Sequence, residues 1–218
     1  MSEARREILT RLRGESGTNK AGVRDGAWSS SAGPRPRLDG SALEVFVDKL
    51  RQNSASVVRV DSEAAIIKAI GNFLRVEGQG QGQGQGLVVM PHPRLRELNW
   101  PNDLEIQCRA PRASDLNVLS LAAFGIAETG SLVLLSGTET PSEANFLPEN
   151  FLCLVDRANL IEHMEEVWQH LRQQGDFPAC VNLISGPSRT ADVEQTIQLG
   201  AHGPRRLLVV IDEGSKNE

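Results

Sequence analysis

The chain has 218 residues, a formal net charge of -5 at pH 7, 39% hydrophobic residues and only 4% aromatic residues, with no tyrosine. The acidic balance supplies no broad positive field for a phosphate backbone, which argues against nucleic acid as a partner. The length predicts one α/β domain with an amino-terminal extension, and its core must be built from Leu, Val, Ile and Ala.

The cysteines and the amino terminus indicate the compartment. Cys108, Cys153 and Cys180 are far apart and lie in or beside apolar runs. Their odd number and separation argue against a disulfide framework and against a thiolate metal cluster, and they fit a reducing cytoplasm. The charged start is not followed by an apolar signal core, and no stretch approaches the ~20 apolar residues of a membrane helix. We therefore expect a soluble, cytoplasmic protein without a metal site.

Two segments are predicted to lie outside the packed domain. Residues 14–36 are rich in Gly, Ser, Arg and Pro, and they carry too little apolar surface to offset the entropy lost on ordering. Residues 78–86 alternate Gly and Gln, which predicts a flexible low-complexity insertion on the surface. The sequence thus predicts an amino-terminal helix and arm over 1–40 and one α/β domain over 41–218 that carries the insertion.

Helices and strands alternate along this domain. One helix is predicted over 41–52, and a second follows Asp61 or Ser62, either of which can cap its amino end. Both helices have apolar residues spaced so that they lie on one buried face. Strands are predicted at 57–60, 87–90, 104–106, 116–121, 131–135 and 151–155, and a further helix over 159–172. Because the strands are apolar on both faces, the alternation predicts a mostly parallel sheet covered by helices.

The end of the domain is predicted to be a βαβ unit with a polar turn. An apolar strand leads into residues 185–192, a helix-like stretch follows, and a second apolar run spans 207–211. Gly186 permits close backbone approach, and Arg189 offers a guanidinium beside hydroxyls and the free amides of a helix start. The turn therefore predicts a site for a carboxylate or phosphate. The alternative is a capped helix in which Arg189 pairs with Asp192 or Glu194.

Other polar residues carry weaker signals. Glu128, in a turn of small residues, is a candidate base, nucleophile or hydrogen-bond acceptor, and the alternative is a turn residue that binds backbone amides. His202 lies next to a glycine and is a candidate ligand, or else a residue that only hydrogen-bonds its loop. His163, Glu166 and His170 share one side of a predicted helix but have no fourth ligand, which favours a solvated face over a metal site.

Three motifs resemble the lactate-utilisation protein C family, also called the LutC/YkgG or LUD-domain family. They are Ala-Glu-Thr-Gly-Ser-Leu-Val at 127–133, Ser-Gly-Pro-Ser-Arg-Thr-Ala-Asp-Val-Glu at 185–194 and Gly-Ala-His-Gly-Pro at 200–204. The resemblance spans about 41–212 and implies a three-layer α/β fold with a parallel-rich sheet, like that of the NagB/RpiA/CoA-transferase group. It also implies a place in a multi-protein system that oxidises L-lactate to pyruvate, whose other subunits hold iron-sulfur clusters.

The motifs also predict the site. We expect Glu128 as the catalytic residue and the following ligand-binding residues: Thr129, Gly130, Ser185, Gly186, Ser188, Arg189, Thr190, Asp192 and His202. The segments around Glu128 and Arg189 are expected to meet in one polar cleft. The chain departs from the family pattern, which has an Arg after a Ser-Gly turn and a His in a Leu-Pro-x-x-His loop, because the stretch 137–151 contains neither residue.

Three functional hypotheses remain open from the sequence. The first is a subunit of an L-lactate-oxidising iron-sulfur system that binds a small carboxylate or a partner subunit and holds no cofactor itself. The second is a stand-alone enzyme, CoA-transferase-like or folate cyclo-ligase-like, with Glu128 as base or nucleophile. A relative that has kept the fold but lost lactate metabolism is a third possibility. The lack of an ATP-binding motif and of a CoA-binding segment counts against the second function.

Overall fold

The computed structural model describes residues 35–78, 86–137, 140–175, 177–190, 198–199 and 203–214. The chain divides into two units, Met1–Pro36 and Arg37–Glu218, and everything below concerns the second unit. The predicted arm up to residue 34 and residues 79–85 of the Gly-Gln insertion lie outside the described residues.

The second unit alternates helices and strands. The helices are α1 (Ala42–Gln52), α2 (Glu63–Gly78), α3 (Pro93–Arg96) and α4 (Met164–Gln174), and short 3₁₀ helices span Ser142–Asn145 and Arg157–Asn159. The strands are β1 (Ser56–Val60), β2 (Leu87–Val89), β3 (Ile106–Cys108), β4 (Asn117–Leu121), β5 (Phe124–Ile126), β6 (Ser131–Leu135), β7 (Asn150–Asp156), β8 (Leu160–Ile161), β9 (Val181–Ile184), β10 (Arg189–Thr190), β11 (Gln198–Leu199) and β12 (Arg206–Asp212). None of the described helices combines the length and hydropathy needed to cross a bilayer.

Six strands form the main sheet, in the order β1-β12-β7-β4-β2-β3, and every neighbouring pair is parallel. β7 and β12 lie near the middle of this sheet and pair along their whole length. The side chains of residues 151–155 in β7 are fully buried. Strands buried on both faces need the continuous apolar runs that the sequence shows there. The prediction of a three-layer α/β fold with a parallel-rich sheet is confirmed.

A second sheet was not predicted. Its order is β8-β5-β6-β9, with β5 parallel to β8 and the other pairs antiparallel. Leu132 and Leu134 of β6 pack in the main core, whereas Val133 packs in a smaller core with Val167 and Leu171 of α4. Because successive strand residues point to opposite faces, the apolar run at residues 132–135 of β6 packs on both sides of the strand.

The structure corrects the sequence prediction in two segments. Residues 181–211 are not a βαβ unit in one sheet, because β9 belongs to the second sheet and β12 to the main one. Arg189–Thr190 is strand β10, paired antiparallel with β11, so no helix begins at Arg189. The helix predicted over 159–172 begins only at Met164, since Leu160–Ile161 pairs with β5 as β8. A short apolar run has the same appearance in a helix and in a strand, and its tertiary partner decides between them.

Helix α1 agrees closely with its prediction and supports the site described below. Ser41 caps its amino end by accepting a hydrogen bond from the Glu44 amide (3.3 Å). Its predicted apolar face is buried, with Phe46 and Leu50 fully inaccessible. Beyond its carboxyl end the chain turns through Ser54, which has a positive φ of 64°.

Candidate functional site

A cavity of about 300 Å³ lies at the amino ends of β7 and β12. Phe151 and Leu207, the second residues of these strands, form part of its wall. The end of β9 and the turn after it form another part, so the cavity lies where the second sheet meets the edge of the main one. Four predicted ligand-binding residues, Ser185, Gly186, Ser188 and Arg189, all line this cavity.

Among the described residues that line the cavity, Arg189 is the single one with an ionisable side chain. It is exposed, and its Nη2 donates a hydrogen bond to Ser54 Oγ at the end of α1. No carboxylate of the described residues pairs with its guanidinium, whereas the acidic partners considered from the sequence, Asp192 and Glu194, lie outside the described residues. The described lining of the cavity therefore carries one positive charge.

Hydroxyl groups run from the Glu128 turn to the cavity. Thr129 Oγ1 is 2.6 Å from Ser131 Oγ, which is 2.5 Å from Ser185 Oγ. Each hydroxyl can donate one hydrogen bond and accept others, so the donors and acceptors in this row of hydrogen bonds can exchange roles. Ser185 can consequently donate to a ligand or accept from one.

Two glycines let both turns lie against the end of α1. Gly186 has φ 110°, and a Cβ atom there would lie 2.3 Å from Asn53 O. Gly130 has φ 64°, and its Cβ would lie 2.6 Å from Lys49 Cβ. Asn53 Nδ2 also donates to Thr129 O (3.1 Å). Only glycine accommodates both the positive φ and this close approach, so these two predicted residues have a positioning role.

The Gly-Pro that follows the predicted His202 completes the wall. The Ser188 amide donates to Pro204 O (2.8 Å), and a Cβ atom on Gly203 would lie 3.3 Å from Ser188 Cβ. His202 and Asp192 themselves lie outside the described residues, and of Thr190 only the backbone is described. The ligand-binding roles of these three residues stay predictions.

Glu128 does not line the cavity. Its Oε1 accepts the Met164 amide at the start of α4 (2.8 Å), and its Oε2 accepts from His163 Nδ1 (2.9 Å). Its own amide donates to Glu162 O (3.1 Å). The carboxylate thus binds a backbone amide, as the alternative from the sequence has it, and the described residues that line the Arg189 cavity do not form the expected cleft shared with Glu128.

The histidines of the predicted 159–172 helix have separate surroundings. The His163 amide donates to Glu166 Oε1 (2.9 Å) at the beginning of α4, while the His170 ring stacks on Phe124 at 5.1 Å. In the described parts of the chain, no group of three or more His, Cys, Asp or Glu side chains is arranged to hold a metal ion. Burial raises the pKa of the Cys153 thiol, which makes it a poor nucleophile.

A second cavity, of about 540 Å³, lies at the carboxyl ends of β1 and β12. Arg94 Nη2 lies 2.5 Å from Asp212 Oδ2 and 2.7 Å from Asp156 Oδ1, and the Asp212 side chain is only 8% exposed. Parallel sheets commonly bind ligands at this edge. However, its wall contains Asp212 together with three further acidic residues, Asp61, Glu63 and Glu97, against the single Arg94. The charge balance therefore favours the first cavity for an anion.

Sequence reasoning missed the residues that come from distant elements. Asn53 and Ser54 carry no signal beyond the end of a helix, yet they hold both turns of the site. Phe146 and Leu183 are ordinary apolar residues in the sequence, and only the fold makes them part of the cavity wall. Phe151, the last residue of the stretch that lacks the family Arg and His, is also in the wall.

Comparisons with known proteins found similar sequences and a similar fold. The LUD domain family model matches residues 112–211, which include both glycine turns. "Lactate utilization protein C" of Shouchella clausii is 33% identical over 99 residues, which is 44% of this chain and 43% of that protein. "Uncharacterized protein YkgG" of Escherichia coli is 30% identical over 144 residues, which is 58% of this chain and 62% of that protein. The alignments thus span less than two thirds of these relatives.

A solved structure shows the same fold. The duf162 family protein from Deinococcus radiodurans superimposes with a TM-score of 0.58 at 22% identity, over 82% of this chain and 100% of that one. The similarity covers more of the chain than the curated alignments do, and at this identity it concerns the fold alone.

Proposed function

We propose that this chain, a member of the LUD-domain family of lactate utilisation protein C, acts in lactate utilisation by binding a small carboxylate beside Arg189. One observation carries this proposal: Arg189 is the single ionisable group among the described residues lining the cavity. An anion entering there meets a positive charge and no described acidic side chain. The role in lactate utilisation is inferred from the names of the relatives, and the binding of a carboxylate is inferred from the residues of the cavity.

The guanidinium suits a carboxylate because its planar fork can donate two parallel hydrogen bonds to the two oxygens. Its Nη2 bond to Ser54 holds the side chain at the cavity wall. The hydroxyls of Ser185 and Ser188 line the same cavity and can donate to the carboxylate or to a 2-hydroxyl group. Since Arg189 is exposed, the attraction is screened by salt, and we expect affinity to fall as ionic strength rises.

In this proposal the chain binds and orients a carboxylate, and the oxidation of L-lactate to pyruvate belongs to partner subunits with iron-sulfur clusters, as the family resemblance implies. Glu128 has a structural role here, because its carboxylate oxygens bind Met164 and His163 at the start of α4. That arrangement supports a binding subunit over a stand-alone enzyme that uses Glu128 as base or nucleophile.

Isothermal titration calorimetry of the full chain with acetate and L-lactate tests the proposal. We expect binding by the native chain and at least tenfold weaker binding by Arg189→Ala, because a charge-assisted hydrogen bond contributes about 1.5–3 kcal/mol. Arg172→Ala is the matched control, since Arg172 is an exposed arginine on α4 outside the cavity, and it should keep the native affinity. Equal affinities of the two variants, or no binding of any carboxylate by the native chain, would refute the proposal.

A further inference from the structure

We infer that the natural ligand of this cavity is a monocarboxylate that carries an apolar substituent several carbons longer than the methyl group of lactate. This inference rests on the proposed carboxylate site and specifies which carboxylate it takes. Three properties of the described wall lead to it: its apolar side chains, its volume and its single charge.

The first property is the apolar wall. Phe151 and Leu207 are buried at the ends of their strands and form the part of the wall next to the main sheet. Phe146 and Leu183 are also in the wall, yet they are 48% and 38% exposed. Large apolar side chains left accessible beside a cavity favour a ligand that covers them, because removing apolar surface from water is favourable.

These exposed side chains are few in the part of the chain that the structure describes. Five large apolar residues are exposed there, and Phe146 and Leu183 of the cavity are two of them. A third, Leu147, follows Phe146 directly in sequence, at 40% exposure. The remaining two, Val76 and Phe177, do not line the cavity. Two of the five exposed large apolar side chains in the described residues thus line the proposed site, and a third lies beside them in sequence.

The second property is volume. The cavity of about 300 Å³ equals the share of liquid volume of roughly ten water molecules at ~30 Å³ each. L-lactate has only three carbons and three oxygens, so it would leave a large part of this space to water beside the exposed side chains of Phe146 and Leu183. A substituent of several carbons would replace that water and contact the apolar wall.

The third property is charge. Arg189 can neutralise one carboxylate, and the other described residues of the wall carry no charge. A second carboxylate would lack a cationic partner, and an ammonium group would lack an anionic one. The wall therefore selects a monocarboxylate over a dicarboxylate or an amino acid.

A chain-length series measured by calorimetry on the full chain tests the inference. The ligands are L-lactate, acetate, butyrate and hexanoate, with hexan-1-ol as a ligand of the same length without charge. We expect affinity to rise by about fourfold for each CH₂ group that is buried, which corresponds to ~0.8 kcal/mol. Hexan-1-ol should bind at least tenfold more weakly than hexanoate, since it lacks the charge that Arg189 recognises.

Variants locate the effect. Phe146→Ala should reduce the gain in affinity per CH₂ group, because the ligand chain loses its contact with the ring. Phe177→Ala is the matched control, since Phe177 is 56% exposed and outside the cavity, and it should keep the full gain.

The outcomes separate this inference from the proposed function. If acetate, L-lactate and hexanoate bind equally well and Arg189→Ala weakens all three, the carboxylate site stands and the inference about chain length is wrong. If the chain-length gain is the same in Phe146→Ala and Phe177→Ala, the ligand does not occupy this wall and the inference is also wrong. If no carboxylate binds, or hexan-1-ol matches hexanoate, the proposed function and the inference both fail.

Discussion

Replacement of Gly186 by alanine tests how the site turn is held against helix α1. Gly186 has φ 110°, and the added Cβ would lie 2.3 Å from Asn53 O, well inside the 3.0 Å that real Cβ atoms keep. The positive φ alone costs about 1–2 kcal/mol for a residue with a side chain. Forcing a methyl group into a filled space costs about 1–3 kcal/mol more, because the backbone of the turn or of the helix end must move. We expect Gly186→Ala to lose about 3 kcal/mol of unfolding free energy.

Gly175→Ala is the matched control for this experiment. Gly175 also has a positive φ, 84°, but nothing lies within 4 Å of a Cβ atom built there. Its substitution should therefore cost only the conformational part, about 1 kcal/mol. Urea denaturation followed by circular dichroism gives both values. If Gly186→Ala is no less stable than Gly175→Ala, then the close approach of the turn to Asn53 does not constrain the fold.

Three further substitutions test other contacts, each by urea denaturation. Arg94→Met should cost about 3 kcal/mol, because it removes the cation beside the buried carboxylate of Asp212, and a loss under 1 kcal/mol would contradict this. The hydrogen bonds from Arg109 lower the pKa of the Asp115 carboxyl in the folded state. The ionised carboxylate therefore stabilises the fold fully above its unfolded pKa of about 3.9. This stabilisation is lost as the pH falls through the lower pKa of the folded state. Asp115→Asn should accordingly cost about 2 kcal/mol at pH 7 and less at pH 3, and a difference independent of pH would refute the pairing. Glu128→Ala should cost about 1–2 kcal/mol of unfolding free energy, because the amide at the start of α4 loses its acceptor. Calorimetry should show that this variant binds carboxylates as the native chain does. If a folded Glu128→Ala variant loses affinity, then Glu128 is part of the binding site.

The segments that could be predicted are those in which local pattern and tertiary environment agree. Helix α1 has an apolar face spaced at 3.6 residues and a serine cap, and the structure reproduces both. The central strands β7 and β12 are continuous apolar runs, which parallel strands need because helices or sheets cover both of their faces. The turn at Gly186 also follows strand β9, since Gly and Ser after an apolar strand indicate a polar turn whatever follows.

The errors fall on short segments whose structure depends on distant partners. Leu160–Ile161 reads as the start of a helix, and only its pairing with β5 makes it a strand. Arg189–Thr190 reads as a helix start and is instead paired with β11. Two or three residues carry too little periodicity to distinguish the two states, so the partner strand decides.

The sequence by itself determined the parallel sheet, the family motifs and the polar character of the turn that carries Arg189, because each of these depends on residues that are close along the chain. Only the tertiary structure decided that Glu128 belongs to the start of α4, that Asn53 and Ser54 hold the site turns, and that Phe146 and Leu183 join Arg189 around one cavity. These contacts join residues far apart in sequence, and no local pattern records which surfaces meet when two sheets pack around one helix.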